Sequence, residues 1–345
     1  LVSPDQATLL RTLLDWPDES VAAHMVPEVL TVSDQVSAAE AIEQVRNHRA
    51  KLRQDSHIGA YVFAVDATNR LLGVVSFREL VLADADRPVR DLVEEDVITV
   101  GPLVDQEEAA RTLTKHRLLA IPVVDEDNHL LGVLTADDAS DIAEEEATED
   151  AERQGGSEPL EVPYLRASPF LLWKKRIVWL LVLFIAAAYT GTVMQAFEDE
   201  LEAVVVLAFF IPLLIGTGGN TGTQITTTLI RAMSIDNVRL RDVGKVLRKE
   251  MATGVMVAAA MAAAGLVRAW TLGVGVPVMI TVSVALVAIV LWSAFIASVI
   301  PLLLKKLRVD PAVVSGPMIS TIVDGTGLII YFSTAKLLLP ELAGL

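Results

Sequence analysis

The chain has 345 residues, with 44 acidic side chains against 28 basic ones and a formal net charge of -16. It contains no Cys, which excludes disulfides and thiolate metal sites, and the acid excess is a poor match for nucleic-acid binding, which wants a basic face. Hydrophobic residues nevertheless make up 52%, a contradiction that resolves when the chain is divided at Phe170. Residues 1–170 hold 34 acids and 14 bases, net -20, and residues 171–345 hold 10 acids and 14 bases, net +4. An acidic soluble half is joined to an apolar, mildly basic half.

No signal peptide opens the chain, and its start at Leu1 rather than Met reads as a piece cut from a longer protein. Residues 1–24 are expected to be a short helical remnant. Leu residues recur at helical spacing over Ala7–Leu14, before the turn-like Asp15-Trp-Pro-Asp-Glu19.

Residues 25–140 contain an internal repeat. Val29-Leu-Thr-Val32 recurs as Val97-Ile-Thr-Val100, an offset of 68, and Arg70-Leu-Leu-Gly-Val-Val-Ser76 recurs as His129-Leu-Leu-Gly-Val-Leu-Thr135, an offset of 59. The difference is extra chain in the first copy near His48–Ile58. Each copy reads strand, helix, strand, turn, strand, helix. The later strands fall at Ala60–Val65, Leu72–Ser76, Ala120–Val124 and Leu131–Thr135, with polar turns at Asp66–Asn69 and Asp125–Asn128. Two short mixed repeats of this kind pack on each other, and the pattern resembles a tandem pair of CBS domains. Such pairs carry a ribose-binding motif, Gly-h-h-Thr/Ser-x-x-Asp, with h apolar. It is matched here by Gly132-Val-Leu-Thr135-Ala-Asp-Asp138 and, with Glu for Asp, by Gly73-Val-Val-Ser76-Phe-Arg-Glu79. Thr135, Asp138, Ser76 and Glu79 are thereby candidates for ATP or another adenine nucleotide. The competing reading makes both motifs helix N-caps.

Residues 141–169 are expected to be an acidic connecting helix and linker. Asp141–Arg153 carries eight charges among strong helix formers. Glu146, Glu149 and Asp150 share one face at i, i+3, i+4, where like charges repel unless cations neutralise them. A solvated acidic helix is the alternative. Gly155, Gly156, Pro159 and Pro163 then end the helix.

Residues 170–345 hold charge-free runs at Ile177–Phe197, Ala203–Ile230, Met251–Val267 and Ala269–Leu304, then a last apolar segment interrupted by Asp324. Five spans fit, with Arg268 snorkelling and Thr271–Pro277 supplying a turn inside the 36-residue run. Three basic clusters fall on one side: Lys174–Arg176, Arg231–Lys249 and Lys305–Arg308. This places the N-terminal half in the cytoplasm and the C-terminus outside. Span two carries Pro212-Leu-Leu-Ile-Gly-Thr-Gly-Gly-Asn220-Thr-Gly222. Its Pro and glycines are expected to break the helix, as backbone lining an ion site does; glycine-mediated packing is the alternative. A carboxylate at Asp324's depth costs about 2.5–3.5 kcal/mol on insertion scales. It is either a protonated or hydrogen-bonded structural group or a cation site in a pore.

The chain as a whole resembles the MgtE family of magnesium channels and transporters. The residues that carry the likeness are Pro212–Gly222, Val309-Asp310-Pro311 and Thr321-Ile-Val-Asp324-Gly-Thr-Gly327, with Asp105–Arg111 and Glu146–Asp150 adding to it. The resemblance implies a multidomain fold: an α/β tandem CBS pair in the cytosol, then an all-α five-helix transmembrane domain over 170–345. It implies a homodimer in a bilayer of the inner or plasma membrane, with a two-fold pore lined by spans two and five, where Asp324 holds hydrated magnesium. Asn220 adds an oxygen donor, and the membrane half offers no His or Cys for softer metals. It further implies gating by intracellular magnesium at Asp105, Glu107, Asp138, Asp141, Glu146, Glu149, Asp150 and Asp310. Three departures accompany the match. Only 24 residues precede the CBS pair where the family opens with a full acidic domain, which implies weaker sensing. Arg117 stands where relatives can have an acid. Gly316 stands where the family pattern has an Asn eight residues before the pore Asp, which implies looser selectivity admitting manganese or cobalt.

Other classes fit less well. A membrane metalloprotease needs His-Glu-x-x-His within its spans, and all five His (24, 48, 57, 116, 129) lie in the soluble half. A CBS-regulated chloride channel wants more spans and a basic intramembrane site. A non-conducting magnesium sensor and a manganese or cobalt transporter remain as alternatives.

Overall fold

A computed structural model describes residues 14–47, 61–235 and 238–342. The chain forms two compact units, 1–147 and 148–345. The predicted helix at Ala7–Leu14, except Leu14, and the extra chain at His48–Ile58 lie outside the described residues.

The repeat offsets return as matched backbone pairing in the first unit. One copy comprises β1 (Thr31–Ser33), α2 (Ala38–Asn47), β2 (Tyr61–Val65), β3 (Leu71–Ser76) and α3 (Phe77–Leu82), preceded by a short helix α1 (Val21–His24). The second comprises α4 (Gln106–His116), β4 (Ala120–Val124), β5 (Leu130–Thr135) and α5 (Ala136–Gln154). β1 lies parallel to β2, and β2 antiparallel to β3; β4 and β5 pair in the corresponding register. The expected strand at Val97–Val100 is reduced to a single bridge between Val100 and Val123. The cause is one residue. In the first copy the Phe63 N–H donates to the Leu30 carbonyl at 2.8 Å, but the residue 59 positions on is Pro122, which has no N–H to give.

The two copies exchange their entry segments around a local two-fold. Val26 pairs with Val133, and its counterpart Glu94 pairs with Val74. The Asn69 side chain donates to the Leu130 carbonyl at 3.0 Å, and Asn128 to the Leu71 carbonyl at 2.8 Å. Both asparagines sit in the left-handed region, at φ 65° and 66°, which Asn tolerates better than most residues. Phe63, Val65 and Leu71 pack with Val124, Leu130 and Val133 between the copies. Burying each such side chain contributes about 1.5–3 kcal/mol. Val21 and Ala22 of α1 are fully buried with Ile121 and Leu134, so the second copy's core draws on chain upstream of residue 25.

The second unit contains α6 (Pro169–Ala196), α7 (Glu198–Ala203), α8 (Ile211–Ser234), α9 (Val243–Thr271), α10 (Val276–Lys306) and α11 (Gly316–Leu338). Among the described residues five helices are long and apolar enough to cross a membrane: Pro169–Ala196, Val205–Ser234, Leu240–Thr271, Val276–Lys306 and Gly316–Leu338. The predicted turn between spans three and four falls where α9 stops, at Gly273 with φ +67°.

The second span corrects an expectation. α8 is continuous and is not broken by its Pro and glycines. Pro212 occupies the first turn, where its missing N–H has no intrahelical partner in any case. The glycines admit neighbouring helices instead. A Cβ at Gly218 would stand 2.7 Å from both Ile289 and Val323, and one at Gly222 would stand 2.8 Å from Ser293 Oγ. Ser293 uses that approach to donate to the Gly218 carbonyl at 2.6 Å. α8 therefore packs tightly on α10 and α11, around Leu214, Leu286, Ile289, Ile319 and Val323.

Candidate functional site

α11 begins at a Ser315 cap, whose Oγ accepts the Met318 N–H at 3.2 Å, with Pro317 in the first turn. Asp324 follows about 12 Å along the helix at ~1.5 Å per residue. It is half-buried, and its carboxylate has no hydrogen-bond or ion-pair partner among the described residues. Gly219 of α8 faces Ser320 closely enough that a Cβ would meet its Oγ at 3.0 Å, and Thr223 Oγ1 lies 3.4 Å from both the Gly316 carbonyl and Ser320 Oγ. These contacts make α8 and α11 antiparallel, and the same register brings Asp324 level with Ile215 and Gly216. Gly216 has open space where a side chain would be. Asn220 is exposed on α8, about one turn from Asp324 by that register. Hydroxyl, amide and carboxylate oxygens thus share the α8–α11 seam, a donor set suited to hard cations.

The predicted sensing acids are held locally. Asp105 caps α4, accepting the Glu107 and Glu108 N–H groups at 2.9 and 3.3 Å. Glu107 pairs with Arg111 at 2.6 Å. Asp138 accepts from Thr135 Oγ1 at 2.6 Å, Asp141 is exposed on α5, and Glu146 accepts from Gln106 Nε2 at 2.6 Å. Asp310 caps the turn at Pro311–Val313 through the Ala312 N–H at 2.8 Å. Asp310 and Glu149 are brought together by Arg153, which pairs with both. Asp150 is half-buried on the same stretch of α5. Among the described residues no three His, Asp or Glu side chains stand close enough to hold a metal ion within one chain.

Both nucleotide-motif positions cap helices here. Ser76 Oγ accepts the Glu79 N–H at 3.2 Å, and Thr135 Oγ1 accepts the Asp138 N–H at 3.2 Å. A cleft of about 560 Å³ in the first copy is lined by Ser33, Asp34, Gln44 and Asp66. It opens at the C-terminal ends of β1 and β2, the opposite sheet edge from Ser76. Arg117 ends α4 in the left-handed region at φ 54°. At Gly316 a Cβ would meet the Thr223 methyl at 2.9 Å, so the position is closed by its neighbour.

Three contacts had no local signal in the sequence. Glu200 of α7 pairs with Lys336 of α11 at 2.8 Å, with the Glu200 side chain 6% exposed. The hydrogen bond from the Lys336 ammonium holds the Glu200 carboxyl below the usual carboxylate range. Trp179 Nε1 donates to Ser315 Oγ at 3.2 Å, bracing the start of α11 against α6. Tyr331 Oη donates to the Leu207 carbonyl at 3.0 Å.

A family model described as MgtE, divalent cation transporter, matches residues 211–334, and the CBS domain model matches 20–86 and 89–144. A magnesium transporter MgtE of Thermus thermophilus is 36% identical over 342 residues, covering 98% of this chain and 74% of the relative. Two solved structures overlap the soluble half. The soluble part of a magnesium transporter is 34% identical at a TM-score of 0.40, over 42% of this chain and 56% of that one. The cytosolic domain of the Mg2+ channel MgtE in complex with ATP is 30% identical at a TM-score of 0.38, over 41% of this chain and 55% of that one.

Proposed function

The chain belongs to the MgtE family of divalent cation transporters, and from that premise we propose that it conducts magnesium through a pore lined by α8 and α11. It is a multi-pass membrane transport protein and not an enzyme. The observation that carries the proposal is Asp324, an acid deep in an apolar helix with no partner among the described residues. Magnesium dehydrates reluctantly and binds through retained waters to one or two carboxylates. One chain offers a single such carboxylate, so the reading is a homodimer in which two Asp324 side chains face a hydrated ion on the two-fold axis. Asn220 lines the approach.

Residues 25–140 and the acidic helix after them carry the regulation in this reading. Intracellular magnesium bridges Asp105, Glu107, Asp138, Asp141, Glu146, Glu149, Asp150 and Asp310 and closes the pore. The net charge of -20 over residues 1–170 favours this, because repulsion splays the acids until cations gather them. In this reading the soluble unit is cytoplasmic and the C-terminus outside, which the basic clusters beside the spans support. Adenine nucleotide at Thr135, Asp138, Ser76 and Glu79 is a further regulatory ligand of this reading; a relative's cytosolic domain has been solved with ATP. One observation favours a second reading of selectivity. Gly316 is closed by Thr223 and presents no amide to the ion, which suits a pore that also admits manganese or cobalt.

The test is magnesium influx into proteoliposomes holding the purified chain, with Asp324→Ala alongside. Influx that disappears in the variant supports the pore. Equal influx in both makes Asp324 structural, and no influx at any internal magnesium makes the protein a sensor. Manganese and cobalt in the same assay decide selectivity.

A further inference from the structure

The last turn of α5 is fastened to the start of α11 at several points within the second unit. Arg153 reaches Glu149 of its own helix with one terminal nitrogen and Asp310, 157 residues away, with the other. Three residues on, Gly156 turns the chain at φ +76°, and a Cβ there would stand 2.8 Å from the Trp179 ring and 3.5 Å from Pro317. Trp179 in turn bonds Ser315, the residue that caps α11. Asp310, Ser315 and Pro317 all belong to the entry of the helix that bears Asp324. Of these fastenings only the guanidinium bridge is ionic, and it joins two carboxylates that would otherwise repel.

We propose that Arg153 is a positioning residue, a cation built into the chain that occupies the place between Glu149 and Asp310 and holds α5 on the pore helix before any divalent ion binds. This rests on the sensing role proposed for those two acids. The chemistry is substitution of one cation for another. A guanidinium offers two parallel N–H donors to two carboxylates and cannot lose its proton. A divalent cation would bridge the same oxygens with twice the charge. While Arg153 holds the pair, magnesium must displace it. The chain therefore keeps a partly closed resting state at low magnesium, and its threshold for full closure is raised.

The chain's lack of Cys permits a direct test on the intact 345-residue chain in lipid nanodiscs. Spin labels on Ala151→Cys and Val313→Cys, both exposed positions outside the pore, report the separation of the α5 end from the loop before α11. With Arg153 present, the distance distribution is expected to be narrow in EDTA and in magnesium alike. With Arg153→Gln it broadens in EDTA and narrows again when magnesium is added, and Arg153→Lys recovers part of the narrow state. In proteoliposomes Arg153→Gln raises flux at the lowest internal magnesium by about three- to fivefold, the scale of a part-exposed ion pair, and matches the parent at saturating magnesium. A narrow distribution for Arg153→Gln in EDTA overturns the proposal, because the contact then holds without the guanidinium. A broad distribution that magnesium leaves unchanged also overturns it, because Arg153 is then no stand-in for a divalent ion. The distances do not depend on conduction, so a chain that carries no magnesium would refute the transport reading while leaving this result to be judged by itself.

Discussion

Several acids in the first unit and several in the second are held by different partners. In the first, carboxylates answer mainly to nearby backbone. Asp66 accepts the Thr68 and Arg70 N–H groups, Asp125 accepts those of Asp127 and His129, and Glu40 accepts that of Ser37. These backbone hydrogen bonds are the main reason that all three carboxyls sit below their ordinary range. In the second unit Glu200 meets Lys336, Glu149 and Asp310 meet Arg153, Asp310 besides accepting the Ala312 N–H, and Asp324 has no partner among the described residues. An abundance of acid therefore marks turns and helix starts, which any soluble α/β fold needs. A scarce acid in an apolar setting either ties distant elements together or waits for a ligand.

The largest effect that could break this contrast is at Asp324. Asp324→Asn keeps the shape and removes the charge. Magnesium flux is expected to fall to background while the thermal unfolding temperature in detergent stays level or rises, since a mid-span carboxylate costs about 2.5–3.5 kcal/mol. Loss of stability together with flux would make Asp324 a structural group like the others. Lys336→Met should show the opposite pattern. It strands a carboxylate that is almost wholly inside, and breaking a buried pair costs about 3–5 kcal/mol; because Lys336 is itself 38% exposed, about 2–3 kcal/mol is expected. Adding Glu200→Gln should recover most of that loss. Glu200 also fixes a sign. Its folded pKa is depressed, so its contribution is present above the unfolded carboxylate value, near 4.3, and disappears as pH falls through the lower folded value. Unfolding curves from about pH 5 downward should slope less in Glu200→Gln than in the parent.

The α8 glycines separate what a sequence can say from what it cannot. Their number marked α8 as unusual, but Gly serves a broken helix and a close helix contact equally well. The deciding atoms belong to Ile289, Ser293 and Val323, far along the chain and invisible to any local pattern. Gly218→Ala should therefore cost about 1–3 kcal/mol through overpacking, read as a lower unfolding temperature. No cost there would restore the broken-helix reading. The five spans were legible because long charge-free runs have one physical meaning. The repeat was legible because its offsets preserve the alternation of strand residues, and even the lost strand was written in the sequence as Pro122 in place of Phe63. Arg153 with Asp310, and Glu200 with Lys336, were not legible: ionic contacts over more than a hundred residues follow from helix packing and leave no spacing to read.

The smallest expected effect probes the local symmetry of the first unit. Asn69 and Asn128 occupy equivalent turns, share the left-handed conformation and reach across to equivalent carbonyls. Each should lose about 1–2 kcal/mol on substitution by Ala, from a hydrogen bond and an unfavourable φ. Substitution by Gly should cost less, because Gly accepts the positive φ and loses only the bond. Hydrogen exchange at β3 and β5 in the intact protein reads both variants. If the two-fold is energetic as well as geometric, Asn69→Ala and Asn128→Ala will each loosen both strands, since each asparagine bonds the other copy's strand. If only the strand that receives the lost bond loosens, the copies are stabilised separately and the exchange of entry segments is what joins them.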